Sequence, residues 1–292
     1  MNDVDYFVSF IINRKLEDLE THFEADVLSY YGPIGTWAVK PFRIAIEKVA
    51  IDKNKKHRLV VVLNTGGGEV EAVERMVEII RRWYDEVYFV VPQIAMSAGT
   101  IFCMSGDRIL MDYTSALGPI DPQVQGKDGN YVPALGYLDK FNEIVQKSLD
   151  GKLSAAEFAI AQNQDLGILR RYEQARDLSV DLLKKWLVDY KFRSWTKHRT
   201  DPDKRGNDVT QEEKEARAQK IALQLGDNRL WHSHGRMIGV NTLTQVLRLE
   251  IDDYTDNQEQ RNLISNYHDV IVDFMQKNSR PFLLHVRNNL GG

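Results

Sequence analysis

The feature that most restricts this chain's fold is the run Arg58-Leu59-Val60-Val61-Val62-Leu63, which breaks off into Asn64-Thr65-Gly66-Gly67-Gly68. A continuous apolar run rich in β-branched residues has no polar face to offer water, which predicts a strand covered on both sides within a parallel sheet. After the glycines, Val70, Val73, Met76, Val77, Ile79, Ile80 and Trp83 recur at helical spacing until Asp85, and Val87-Tyr88-Phe89-Val90-Val91 restarts as a strand. The same grammar repeats through a turn at Ala95-Met96-Ser97-Ala98-Gly99, a short apolar helix to Met104, and the strand Arg108-Ile109-Leu110-Met111. Alternating strands and helices of this kind imply a layered α/β architecture.

The flanks are read against that core. Residues 3–22 have the pattern of an amphipathic helix, Ala25 to Tyr31 that of a strand closed by Gly32-Pro33, and a second helix is expected over 38–53. From Pro133 onward the pattern turns helical, with one helix near 134–150 and another from 154 into the 190s. Residues 199–215 hold turn formers and charges without a periodic apolar face, so a mobile loop is expected there, a hypothetical gate, with a helix resuming at Gln211. A helix over 257–277 should be followed by an extended Pro281 to Val286, able to add a strand or to pack on a neighbouring subunit. The length fits a single elaborated domain over 1–292: a core over 23–150, a helical elaboration over 151–255, and a C-terminal helix and extended segment over 256–292.

Charge and cysteine content narrow the function classes. With 38 basic against 42 acidic residues the net charge is -4, which gives no pull toward nucleic acid or anionic membranes. The single Cys103 forms no internal disulfide, and no Cys/His set has zinc-finger spacing, which fits a reducing, cytoplasmic setting. The start of the chain is acidic, and its apolar patch Tyr6 to Ile12 is too short for an export signal or a membrane span, so neither is expected.

Two of the turns carry chemistry. Glycines let backbone N–H groups come close to a ligand, and a serine opening a helix presents its hydroxyl beside unpaired backbone donors, an arrangement suited to an oxyanion. Taken singly, Ser97 also reads as a helix cap and Gly66-Gly67-Gly68 as a tight turn. Neither turn continues into the patterns that nucleotide loops need.

Taken in order, three stretches resemble the serine dehydrogenase proteinase family, relatives of signal peptide peptidase A and the Clp proteases. They are Val91-Pro92-Gln93-Ile94-Ala95-Met96-Ser97-Ala98-Gly99-Thr100, then Gly106-Asp107-Arg108-Ile109-Leu110-Met111-Asp112, then Leu117-Gly118-Pro119-Ile120-Asp121-Pro122-Gln123. The resemblance is strong from about residue 58 to 140 and weaker through the later helices to His234-Gly235-Arg236-Met237-Ile238. It implies an α/β fold of the Clp/crotonase type and hydrolysis of peptide bonds in a peptide or protein substrate through an acyl-enzyme. By position it makes Ser97 the nucleophile, gives the oxyanion hole to the amides of Gly68 and Ala98, and puts Gly67 and Met96 against substrate. No metal or organic cofactor is implied, and relatives assemble as homo-oligomers. Gly66 departs from relatives, which usually place proline before the glycine pair.

The general base is open. A Clp-type histidine is missing from Gly118-Pro119-Ile120-Asp121-Pro122-Gln123, whereas signal peptide peptidase A uses a lysine at the start of a later helix. Lys140 holds a comparable place, at the border of a helix face formed by Ala134, Tyr137, Phe141, Ile144 and Val145, with Lys147 on nearly the same meridian. Desolvation there would favour the neutral amine, while a solvated ammonium over an apolar stem is the bland alternative. His232 and His234 compete as bases or as structural hydrogen-bonding residues, Asp121 as the base's orienting carboxylate or as a turn former, and Cys103 reads as buried and unreactive. A non-hydrolytic interaction or regulatory protein on the same fold is the rival class. Acyl-CoA chemistry of the crotonase type is a third, and Ser97 argues against it.

Overall fold

The computed structural model describes residues 3–125, 131–199 and 202–291. The first half runs α1 (Asp3–Phe23), β1 (Asp26–Tyr31), α2 (Thr36–Ala50), β2 (Arg58–Asn64), α3 (Val70–Trp83) and β3 (Glu86–Val90). It continues through β4 (Ile94–Ala95), α4 (Ala98–Cys103), β5 (Arg108–Met111), β6 (Ala116–Leu117) and a hairpin of β7 (Gln123–Gln125) and β8 (Tyr131–Pro133). The helical half holds α5 (Ala134–Leu149), α6 (Ala155–Gln162), α7 (Leu166–Trp186), a π-helical turn Leu187–Lys191, α8 (Gln211–Gly226), α9 (Asn228–Trp231) and α10 (Val240–Gln245). The chain closes with β9 (Asp252–Asp253), α11 (Gln258–Lys277), β10 (Leu283–Val286) and β11 (Asn289–Gly291).

The apolar run behaves as its composition demands. In β2, Leu59, Val61 and Leu63 face one core, while Val60 and Val62 face the other. On the first side lie Phe42 and Ile46 of α2, Val73 and Met76 of α3, and Ala98, Ile101, Phe102 and Cys103 of α4; on the second, Ile12, Leu16 and Leu19 of α1 and Tyr267 and Ile271 of α11. Each such side chain contributes roughly 1.5–3 kcal/mol on full burial, so a strand buried on both faces tolerates no polar position in its middle. The main sheet has the order β11-β10-β1-β2-β3-β5-β9 among the described residues. β1, β2, β3, β5 and β9 run parallel, and β10 joins β1 antiparallel with Ser29 opposite His285. The extended segment near the C-terminus thus adds a strand to this chain's own sheet, and Gly291 pairs there with Leu284.

That added strand carries a buried polar network. His285 is fully buried, with Nδ1 2.8 Å from the Tyr267 hydroxyl, which also reaches Ser29 Oγ at 2.6 Å, and with Nε2 3.1 Å from Asn13 Oδ1. Burial pushes its pKa down to about 3. Between that value and the ordinary histidine range the unfolded chain binds the extra proton, so this contribution to stability is full above the unfolded pKa and is lost as pH falls toward the folded one. Glu20 and Asp26, whose pKa values burial raises, act with opposite sign, contributing stability that is lost as pH rises through their folded values. Both carboxylates remain in a His285→Gln variant. The urea midpoint of wild type relative to that variant is therefore expected to fall between roughly pH 7 and 4, and a difference independent of pH would remove the assignment.

Two expectations are corrected, and a third segment shows contacts that the sequence pattern did not signal. The long helix from 154 breaks at 163–165, because Asp165 turns its carboxylate to cap a new helix, accepting from the Gly167 N–H at 2.8 Å. The inner face of α5 runs through Ala134, Leu138 and Ile144, not through Tyr137 and Val145, which are each 39% exposed. Among the described residues from 197 to 213, the Gly206 N–H donates to the His198 carbonyl, Lys197 pairs with Asp208, and Lys204 pairs with Glu213. Ion pairs and turns do there what an apolar face does elsewhere. No described helix is long and apolar enough to cross a membrane.

Candidate active site

The site is assembled where β2 ends. Beyond Asn64 the chain gains a new neighbour, because β4 crosses back to run beside Thr65. Asn64 Oδ1 accepts from the Ile94 N–H at 3.1 Å, Thr65 N–H donates to the Ile94 carbonyl at 2.9 Å, and Met96 N–H donates to the Thr65 carbonyl at 3.0 Å. Three short bonds thus fix the residue before the serine against the start of the glycine turn. On its other side β4 pairs with β6, and Leu117 of β6 exchanges two backbone bonds with Ile238.

Ser97 then takes φ 52° and ψ -118°, a conformation that side-chain-bearing residues rarely adopt and that costs on the order of 1–3 kcal/mol. The chain turns sharply from strand into α4 at this residue, leaving its side chain partly exposed between buried Met96 and buried Ala98. A strained strand-to-helix turn of this sort projects a hydroxyl out of the backbone. Behind it, the Thr100 hydroxyl donates to the Ala95 carbonyl at 2.8 Å and accepts from the Gly118 N–H at 2.9 Å, tying α4 to β4 and to the segment after β6.

The glycine turn closes over the serine. A Cβ on Gly67, where φ is 109°, would stand 2.8 Å from Ser97 Cβ and 3.4 Å from its Oγ, and one on Gly99 would stand 2.4 Å from Thr65 Cγ2. Gly68, at φ 150°, lies against Ile34, which donates its N–H to the Gly67 carbonyl and accepts from the Glu69 N–H. That parallel pairing uses the Gly67 carbonyl and the Glu69 N–H and leaves the Gly68 N–H with no described acceptor. Ala98 N–H, at the first helical position, has none either. Ala98 follows the serine directly, and Gly68 follows the glycine that packs against it, so two amides without a described acceptor belong to the segments that meet here. Gly66 has nothing within 4 Å of where its Cβ would be, so this position needs neither glycine nor proline for space.

The expected bases are placed as follows. Lys140 is exposed on α5 and pairs with Glu143 at 2.9 Å; Lys147 pairs with Glu157 at 2.6 Å, which raises its pKa. Neither lysine is desolvated. His232 is exposed in a left-handed conformation at the end of α9. His234 Nδ1 lies 2.9 Å from Oδ1 of Asp121, a carboxylate that is almost wholly buried. Asp121 is therefore the partner of a histidine rather than merely a turn former. Among the described residues the Ser97 hydroxyl makes no hydrogen bond. Cys103 is fully buried and its thiol pKa is pushed far up by desolvation, which leaves it unreactive.

Sequence reasoning missed Ile34 and Thr100. Gly32-Pro33 showed only that β1 ends, with no sign that the next residue would brace the turn; Thr100 looked like a helix residue among others. The pairing of Asp121 with His234 joins positions far apart in the chain, and no spacing rule reaches that distance.

Comparison with known proteins gives partial likenesses. An uncharacterised protein of Methanocaldococcus jannaschii, MJ0137, is 31% identical over 140 residues, covering 44% of this chain and 47% of that protein. A second from the same organism, MJ1495, is 27% identical over 115 residues, covering 39% and 35%. The matches thus span less than half the length of these curated relatives. Among solved structures, the membrane-bound stomatin-specific protease 1510-N in mutant form shares 21% identity at a TM-score of 0.33, covering 42% of this chain and 62% of that one. The ClpP protease catalytic domain of Plasmodium falciparum shares 13% at 0.29, covering 51% and 80%. The family match is broader than these: the model of the ClpP-like SDH-type serine proteinases takes in residues 45–203, more than half the chain and all of the turn, elbow and helix that build the site. The chain belongs to the ClpP-like SDH-type serine proteinases.

Proposed function

We propose that this protein hydrolyses peptide bonds through an acyl-enzyme formed on Ser97. The carrying observation is the contact between the strained Ser97 and the Gly67-Gly68 turn, with the amides of Gly68 and Ala98 both unspent. Ser97 Oγ attacks the scissile carbonyl and loses its proton to a base. The two amides hold the resulting oxyanion; the base passes its proton to the leaving nitrogen as the intermediate collapses to amine and ester, and then takes a proton from the water that hydrolyses the ester and returns it to Ser97 Oγ. Gly67 and Met96 lie against the substrate. No cofactor takes part.

Lys140 is the proton acceptor in this reading. It must first leave Glu143 and give up its own proton, since an ammonium has no lone pair with which to take one. His234 is the alternative, favoured by the Asp121 bond, which holds one ring nitrogen and leaves the other to accept. Fluorophosphonate labelling of Lys140→Ala and His234→Ala separates the two: the variant of the true base is expected to label at least about a hundred-fold more slowly, within the range that general-base catalysis contributes. A second reading, a latent or regulatory protein, is favoured by the unbonded Ser97 hydroxyl. Wild-type protein that never labels at Ser97 in any assembly state would establish it.

A further inference from the structure

α4 is an apolar helix that holds a single hydroxyl. Thr100 is fully buried there, where valine would fill the same space with no polar group to desolvate. A helical threonine ordinarily turns its hydroxyl to the carbonyl four residues back or to water. Here that carbonyl, of Met96, already accepts from the Gly99 N–H at 2.8 Å, and the Thr100 hydroxyl reaches out of the helix instead. Its one proton lies between the carbonyl oxygens of Ala95 at 2.8 Å and Gly118 at 3.0 Å, and its oxygen accepts from the Gly118 N–H at 2.9 Å. Gly118 in turn presses on the residue before the serine: a Cβ there would stand 2.5 Å from Met96 Cε and 3.4 Å from Met96 Cα. The hydroxyl thus joins the strand that enters Ser97, the helix that leaves it and the segment that covers Met96. That segment has other moorings, since Leu117 exchanges two backbone bonds with Ile238 and the Ile120 N–H donates to the Leu225 carbonyl at 3.0 Å. Loss of the hydroxyl therefore loosens the fit around Met96 without freeing the segment.

We propose that Thr100 is a positioning residue of the peptidase, whose hydroxyl fixes the angle at which the chain passes through Ser97 and so aims both the serine hydroxyl and the Ala98 N–H. The proposal rests on Ser97 being the nucleophile of a peptidase. Thr100 acts through its neighbours rather than on substrate, and a misplacement on the order of 1 Å at the reacting atoms is enough to cost about 10²-fold in rate. The test compares Thr100→Val, which keeps the shape and loses the hydroxyl, with Thr100→Ser, which keeps the hydroxyl and loses a methyl group. Hydrolysis of fluorescein-labelled casein, the rate of fluorophosphonate labelling at Ser97 and urea unfolding are measured on each full chain. Thr100→Val is expected to lower kcat and the labelling rate at least about ten-fold with KM within about two-fold of wild type, and Thr100→Ser to recover both rates to within about three-fold. Thr100→Cys, whose thiol is only a weak donor, is the second variant and should label more slowly than Thr100→Ser. A hydroxyl that serves packing alone would lower the urea midpoint of Thr100→Val while its folded molecules label at the wild-type rate. That result, or Thr100→Ser labelling no faster than Thr100→Val or Thr100→Cys, overturns the proposal and leaves the nucleophile standing. A wild type that neither labels nor cuts overturns the peptidase reading and this one with it.

Discussion

Ser97→Ala is expected to abolish fluorophosphonate labelling and to lower peptide hydrolysis by about 10³-fold or more, the scale on which serine enzymes depend on their nucleophile. Alanine keeps the Cβ, so it inherits the φ of 52° and leaves the turn's geometry in place. Ser97→Gly separates the two consequences of that backbone. Glycine adopts a positive φ without penalty, so this variant should be as inactive as alanine yet more stable by about 1 kcal/mol, within the range stored by such a conformation. The measurement is a urea midpoint beside a labelling time course. A stability rise coupled to loss of function would mean that the chain holds the serine in an unfavourable backbone for the sake of its hydroxyl. Labelling that persists in Ser97→Ala would place the nucleophile elsewhere.

Why was so much of this centre legible in the sequence? The β2 run and its glycines are constrained locally: a doubly covered strand can have no polar residue inside, and a close approach to Ser97 excludes a side chain at Gly67. Both demands write themselves into consecutive residues. The helical half obeys looser rules. α6 buries none of its residues, so its Phe158 and Ile160 gave an apolar signal with no inner face behind it, and the break at Asp165 depended on one side chain choosing a cap over solvent. The surroundings of Lys140 show the same looseness. Its place at the border of the expected apolar face allowed desolvation, but the buried seam passes through Leu138 and leaves Lys140 exposed beside Glu143. What no local rule reaches is pairing across the chain, as between Asp121 and His234, or between Ile34 and the glycine turn.

The turn itself offers the second large effect. At Gly68 a Cβ would lie 1.9 Å from the Ile34 carbonyl oxygen, a backbone atom that cannot move aside without breaking its bond to the Glu69 N–H. The φ of 150° adds a conformation that L side chains rarely adopt. Gly68→Ala must therefore push the turn off Ile34 and re-aim the Gly68 N–H, with an expected loss of about 10²–10³ in kcat, the cost of one oxyanion donor, and about 1–3 kcal/mol in stability. Gly66→Ala, two residues away, is the control that makes this specific. It meets nothing within 4 Å and carries no positive φ, so it should leave kcat near wild type and add about 0.4–1 kcal/mol by restricting the unfolded chain. Steady-state hydrolysis and urea unfolding of both variants decide the matter. If Gly68→Ala unfolds early but its remaining folded fraction turns over at the wild-type rate, the glycine serves packing alone. If kcat falls in a variant that is still folded, the amide is spent on the reaction, and the contrast with Gly66 locates the oxyanion donor to a single peptide unit.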